Sequence, residues 1–395
     1  MNAPPTQPSI VQGRIVGLDL HPDSFAAAIL AGRDPHTSKV VRTATRVPLA
    51  QLEAWLRTHT LPEDLCVFEA SSNSFAIAER LAALGRRFVL LESHRAGQIK
   101  KSYCANDRLD AIKLARIQLS GLARTPVWCP DPQTRERREL LGTYQRCVKD
   151  CTRHAQHLRS FLNEHCLRLP AGFRLCRPEA LERLLALKAW SLRQRQLIED
   201  MHGTLIAARA RRQRLRRLMA LEIEAEPKVL RLYKLCGLNL ITTYALVAVV
   251  GDIRRFANSK RLVAYLGLNP SVAESGLSEG GTALRPHGRG PLRALLVQAA
   301  KRLLTCQNPL QKWGLALALR RGRNRAAVAL ARKLTVSVWH VMMDHWSGVK
   351  EVTTTLRTKL FKLATELGVP TLQQLGYSSK AAFEEQKLTV LQSFP

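Results

Sequence analysis

The spacing of apolar residues changes period several times along the chain. Residues 14–20 (RIVGLDL), 25–30 and 39–47 are short β-branched and apolar runs broken by turn residues such as His21-Pro22-Asp23-Ser24, and they predict a three-strand meander. Residues 49–58 then carry a helical pattern, Leu65 to Glu69 an apolar strand that stops on an acid, Ser74 to Leu84 a helix, Arg87 to Leu91 a strand and Ala111 to Leu119 a helix. An antiparallel start followed by alternating strand and helix predicts an α/β domain over residues 12–128. Leu140, Leu141, Tyr144, Val148, Leu158, Phe161 and Leu162 fall at helical spacing, Pro170-Ala171-Gly172 breaks the pattern, and a second run extends from about Pro178 to Glu226. Two long helices around a short break predict a helical hairpin or coiled-coil arm over 129–226. From 227 to 348 the pattern is again helical, interrupted by a loop dense in glycine, serine and proline. Its last stripe of Val, Ala, Trp and Met reads as core. Residues 349–395 suggest no particular role.

Charge adds the first functional constraint. With 61 Lys+Arg against 31 Asp+Glu, the 395-residue chain carries a net charge of +30, which suits a phosphate backbone better than an acidic small molecule. The run from Arg209 to Arg217 is too basic to be a face with balancing acids, so Arg211, Arg212, Arg214, Arg216 and Arg217 are expected to contact nucleic acid. The nine cysteines include no C-x-x-C pair, Cys147 and Cys151 near His154 lack a fourth ligand, and His340 and His345 do not share a helix face. No zinc site is expected. The longest apolar run, Tyr244 to Val250, is too short to cross a bilayer, and the N-terminus has no basic end followed by an apolar stretch. Both point to a reduced, cytoplasmic protein away from membranes.

Candidate chemistry centres on acids. Asp107 and Asp110 are three apart at the start of a helix and share a face. At an effective dielectric of about 20, two carboxylates roughly 4 Å apart repel by about 4 kcal/mol, so a cation is expected between them. A divalent metal would serve, and so would Arg108 or Arg116. Asp19 and Glu69 each end a predicted strand, where functional groups of open α/β sheets collect. Singly, Asp19 reads better as a turn cap and Glu69 as a surface residue. As an ordered set they form a cage whose mutual repulsion two hard cations would absorb. Actin-like ATPases and sugar kinases also open with a strand ending in Asp, but they need a glycine turn for phosphate. His21-Pro22-Asp23 has none.

Gly17-Leu18-Asp19, Phe68-Glu69-Ala70-Ser71 and Asn106-Asp107-Arg108-Leu109-Asp110-Ala111 resemble the motifs of the DEDD transposases, the insertion-sequence group that includes pilin-gene inversion recombinases and bridge-RNA-guided recombinases. The C-terminal half carries the resemblance too. Gly267 to Gly276 is similar to that family's G-L-x-P-S-x-x-x-S-G element, and Arg289-Gly290-Pro291-Leu292-Arg293 to its basic element, one residue short. Cys236-Gly237-Leu238-Asn239 resembles its helix-hairpin-helix opening, with Asn239 in place of the usual second glycine; backbone N–H groups there are expected to be free for phosphate.

The resemblance implies an RNase H-like N-terminal domain of the Holliday-junction-resolvase type, a coiled-coil arm and an all-helical transposase domain. It implies that Asp19, Glu69, Asp107 and Asp110 hold Mg2+, with Mn2+ as the alternative, and that Ser275, or else Ser271, attacks the scissile phosphate to leave a covalent phosphoserine. Arg285, Arg289 and Arg293 would neutralise the DNA beside it. A structured non-coding guide RNA, donor and target DNA, a homodimer or tetramer uniting acids with serine, and a bacterial, nucleoid-associated location complete the expectation. Two other readings stay open: a junction-resolving nuclease that uses water, and a non-catalytic basic scaffold.

Overall fold

Residues Arg14–Leu20 form β1, whose alternate positions face opposite sides of a five-stranded sheet, as strand geometry requires. The computed structural model describes residues 13–100, 106–121, 126–271, 274–275, 278–279, 283–284, 288–345, 349 and 351–393. The chain divides into two compact units, Met1–Asp131 and Pro132–Pro395.

In the first unit β1 is joined by β2 (Ser24–Ala31), β3 (Lys39–Pro48), α1 (Leu52–His59), β4 (Leu65–Glu69), α2 (Ser74–Ala83), β5 (Arg87–Leu91), α3 (Ser93–Lys100) and α4 (Asp107–Leu119). The strand order is β3-β2-β1-β4-β5, with β1 antiparallel to β2 and parallel to β4. All five predicted strands are present. Val16, Leu18, Cys66 and Phe68 pack on one face against Leu52, Leu56 and Ile77 of α1 and α2. Ile15, Leu65, Val67, Val89 and Leu91 pack on the other against Ala111, Leu114 and Ala115 of α4. The helix begins at Asp107, with Asp107 and Asp110 in its first turn as expected, because the Asn106 side chain caps it by accepting from the Leu109 N–H at 2.8 Å.

The second unit is mostly helical. α5 (Pro132–Glu164) and α7 (Leu192–Ala225) form the hairpin, with the short α6 (Ala180–Ala186) in the connection. The second long helix starts at Leu192 rather than near Pro178, since Ser191 and Gln194 make a reciprocal capping box there. Leu158, Leu162, Leu184, Trp190, Ile198 and Leu205 give the hairpin's tip a core of its own. At its base Leu141, Tyr144, Met219 and Ile223 enter the main core of the unit. That core gathers α8 (Pro227–Leu232), α9 (Leu240–Val250), α10 (Ser259–Tyr265), α11 (Gly290–Leu303) and α13 (Arg323–Met342), and α12 (Gln311–Arg321) lies against it through Gly314, beside Leu304 and Leu330. Four two-residue strands, β6 (Pro270–Ser271), β7 (Glu274–Ser275), β8 (Ser278–Glu279) and β9 (Ala283–Leu284), lie between α10 and α11.

The C-terminal stretch folds as α14 (Thr353–Leu367), α15 (Val369–Gln374) and α16 (Lys380–Ser393). It packs Leu356, Leu360, Leu363 and Leu367 into the same core. Among the described residues no helix is long and apolar enough to cross a membrane.

Candidate metal site and nucleic-acid interface

Gly17 sets the position of the acids. A Cβ on it would overlap the Ala111 carbonyl oxygen, 2.9 Å from the carbonyl carbon and 3.1 Å from the Ala115 nitrogen. Only glycine lets α4 lie this close to β1. From that contact, two residues forward along a strand cover about 6.6 Å. Four residues back along a helix cover about 6 Å. The two steps match, so Asp107 meets Asp19.

Asp19 is buried, while Asp107 and its neighbour His21 are partly exposed. His21 Nε2 is 3.7 Å from Asp19 Oδ2 and 3.6 Å from Asp107 Oδ1, and Asp19, His21 and Asp107 each offer a donor atom within 4.8 Å of the others. That nitrogen is itself buried without a hydrogen-bond partner. Two carboxylates and an orphaned imidazole nitrogen facing one point suit a divalent cation.

Glu69 and Asp110 lie outside this group of three. The parallel register pairs Leu18 with Phe68, so Asp19 and Glu69 follow at the same level, and alternation turns both toward the α4 face. Asp110 Oδ1 is 3.3 Å from Lys113 Nζ. The arginines expected to offset the acid pair, Arg108 and Arg116, are exposed.

The serine-bearing loop in the second unit is closed at its base. Gly288, at φ +97°, lies against Gly267 so tightly that a Cβ would come within 2.8 Å of the Gly267 nitrogen, and Arg293 Nη1 donates to the Gly267 carbonyl at 3.2 Å. Within the loop Ser271 pairs with Ala283 and Ser275 with Ser278, each pair antiparallel. The side chains of both serines, and Arg285 altogether, lie outside the described residues.

At the loop's entry the Tyr265 hydroxyl accepts from Arg289 Nε at 2.9 Å and donates to the Val249 carbonyl at 3.4 Å, with the Arg255 guanidinium 4.5 Å from its ring centroid. Burial alone would raise this phenol, but the charges of Arg289, Arg255 and Arg138 outweigh it and hold the phenol below its ordinary value. Tyr265→Phe is therefore expected to remove a phenol that titrates well before Tyr233 and Tyr244 in an ultraviolet difference titration, because burial raises those two instead. A lowered folded-state value favours the fold when the group is ionised. The wild type should gain stability over Tyr265→Phe as pH rises toward about 10, and lose that advantage as pH falls through the folded value.

In the arm, Arg211, Arg214 and Arg217 are exposed and Arg212 is half-buried. Arg216 is committed elsewhere, to an ion pair with Glu366 at 2.5 Å. The hairpin at Gly237 also differs from expectation. Its N–H donates to Glu351 Oε2 at 3.3 Å, and Glu351 pairs with the buried Lys359 at 2.7 Å, so a carboxylate of the same chain takes the place expected for phosphate. Asn239 caps α9 through Thr242 N–H at 3.1 Å, which explains a residue other than glycine there.

Residues 16–167 match the family model of the IS110-type DEDD transposases, and residues 230–313 match that of the Transposase IS116/IS110/IS902 family. The chain belongs to the DEDD transposases of insertion sequences. This transposase is 28% identical over 335 residues to the transposase for insertion sequence element IS1111A of Coxiella burnetii, covering 83% of this chain and 89% of the relative. It is 26% identical over 337 residues to a "Probable family 20 transposase" of Pseudomonas aeruginosa, covering 83% and 96%. With the transposase for insertion sequence element IS1328 of Yersinia enterocolitica it shares 23% identity over 340 residues, again 83% and 96%. The residue that sequence reasoning missed is His21, read only as part of a turn. Its signal was the strand period, which sets residues 17, 19 and 21 on one side.

Proposed function

We propose that this transposase cuts and rejoins DNA with a serine nucleophile assisted by a carboxylate-held divalent cation. The observation that carries the reading is the meeting of Asp19 and Asp107 beneath the Gly17 contact. Asp19, Glu69, Asp107 and Asp110 would hold Mg2+ or Mn2+. When bound, such an ion polarises a phosphoryl oxygen and offsets charge that develops in the transition state. The sheet order β3-β2-β1-β4-β5 supports the RNase H-like reading of the first unit.

Ser275 is the nucleophile in this reading and Ser271 the alternative. The attacking hydroxyl loses its proton and forms an ester bond to phosphorus, while the bond to one deoxyribose oxygen breaks and that oxygen leaves with a proton. Rejoining reverses the exchange: a strand hydroxyl attacks the phosphoserine, and the serine recovers its proton. Arg211, Arg212, Arg214, Arg217 and Arg289 are available to neutralise DNA, with Arg285 assigned by its motif alone. Arg293, assigned to DNA by its motif, also holds the base of the serine-bearing loop closed. Because acids and serine belong to different units of the chain, an assembly of two or four copies with DNA, guided by a structured non-coding RNA, completes the proposal.

Denaturing electrophoresis of the protein with labelled donor DNA tests it. A covalent adduct is expected with wild type and with Ser271→Ala, and none with Ser275→Ala. Full cleavage without any adduct would instead establish water as the nucleophile.

A further inference from the structure

We infer that His21 is a third ligand of that cation, through Nε2, and that it biases the site toward Mn2+ over Mg2+. The inference rests on the reading of Asp19 and Asp107 as a cation site.

The geometry singles out this nitrogen. His21 follows β1 directly, two residues past Asp19, and its backbone is held on both sides: its N–H donates to the Ser24 carbonyl at 2.9 Å, and its carbonyl accepts from Asn73 Nδ2 at 2.8 Å. The imidazole is partly exposed as a whole, yet Nε2 is buried and without a hydrogen bond. Its separations from the two carboxylate oxygens, 3.7 and 3.6 Å, are too long for hydrogen bonds. A protonated imidazole bridging two carboxylates would close to about 2.7–2.9 Å. Donor atoms sharing one ion, each about 2.1 Å from it, stand about 3–4 Å apart. The two separations from His21 Nε2 are those of ligands sharing one ion.

The donor set then indicates which ion. Magnesium favours carboxylate and water oxygens, whereas imidazole nitrogen favours later first-row metals. Manganese accepts oxygen ligands and binds imidazole more readily than magnesium does. A site of two carboxylates and one imidazole therefore discriminates between two ions that an all-carboxylate site treats more evenly.

The test uses the full chain without DNA. Calorimetric titration with Mn2+ and with Mg2+ gives the affinities, and pulsed electron paramagnetic resonance of bound Mn2+ reports whether nitrogen is coupled to the metal. Wild type should show a nitrogen coupling that His21→Ala abolishes. Mn2+ affinity should fall about tenfold in that variant, with Mg2+ affinity changing less than about twofold. Bound Mn2+ without nitrogen coupling in wild type, or an equal loss for both ions in the variant, would overturn the role of His21 while leaving the carboxylate site standing. If wild type binds neither ion, or if Asp19→Asn binds both as wild type does, the cation reading itself fails and this inference with it.

Discussion

Replacing Gly17 with alanine is expected to unseat α4 and to abolish DNA cleavage together with it. The new methyl group would sit inside the Ala111 carbonyl and against the Ala115 nitrogen, both backbone atoms that no side-chain rotation can move aside. Relief requires the helix to lift from the sheet, opening the layer in which Ile15, Val67, Ala111 and Ala115 are now buried. Overpacked cores lose about 1–3 kcal/mol, and a backbone clash of this kind lies beyond that range, at about 4 kcal/mol or more. Chemical denaturation of wild type and variant would show the difference as a lowered midpoint. An unchanged midpoint would mean that α4 does not rest on Gly17, and the meeting of Asp107 with Asp19 would lose its basis.

Asp19→Asn acts on the same site without disturbing its shape. The amide is nearly isosteric with the carboxylate, so the sheet and α4 should stay in place, while the most buried donor near the putting-together of strand and helix loses its charge. A cation's stabilisation of transition-state charge amounts to several kcal/mol. Losing about 4 kcal/mol of it slows cleavage about a thousandfold. DNA binding, which draws on the excess of basic residues, should persist in a gel-shift assay. In the presence of a chelator the variant should unfold no earlier than wild type, because it removes one of two like charges facing each other across His21. Cleavage at the wild-type rate would exclude Asp19 from the chemistry.

Much of the first unit was legible because β1, β2, β4 and β5 are short, nearly continuous apolar runs, buried on both faces of the sheet, whose side chains alternate between those faces. The bounds of β1, β4 and β5 follow from composition alone, and the same alternation turns Asp19 and Glu69 toward one face. Which acids share a point in space was less accessible. It depends on Gly17, whose missing side chain has no periodic signature, and on His21, which resembles a turn residue in one dimension. Long-range partners were hidden for the same reason. Arg216 looked like one more cation of a basic run until Glu366, 150 residues later in the chain, accounted for it. Gly237 looked available to phosphate until Glu351 took its N–H. The C-terminal helices went unread, although Leu356, Leu360, Leu363 and Leu367 repeat at the helical period, the mark of a face that must be covered.

Those C-terminal helices give the hairpin the mechanics of a cantilever. Glu366 grips Gln213 and Arg216, and Glu224 grips Tyr377 and Lys387, so α7 is clamped along its last three turns. The far end carries a separate core, and among the described residues it makes no ion pair with the C-terminal helices. A load applied to the tip by a bound partner would therefore deflect the free length of the hairpin and reach the clamped root as torque on α9 and α14, the helices that flank the carboxylate-filled turn at Gly237.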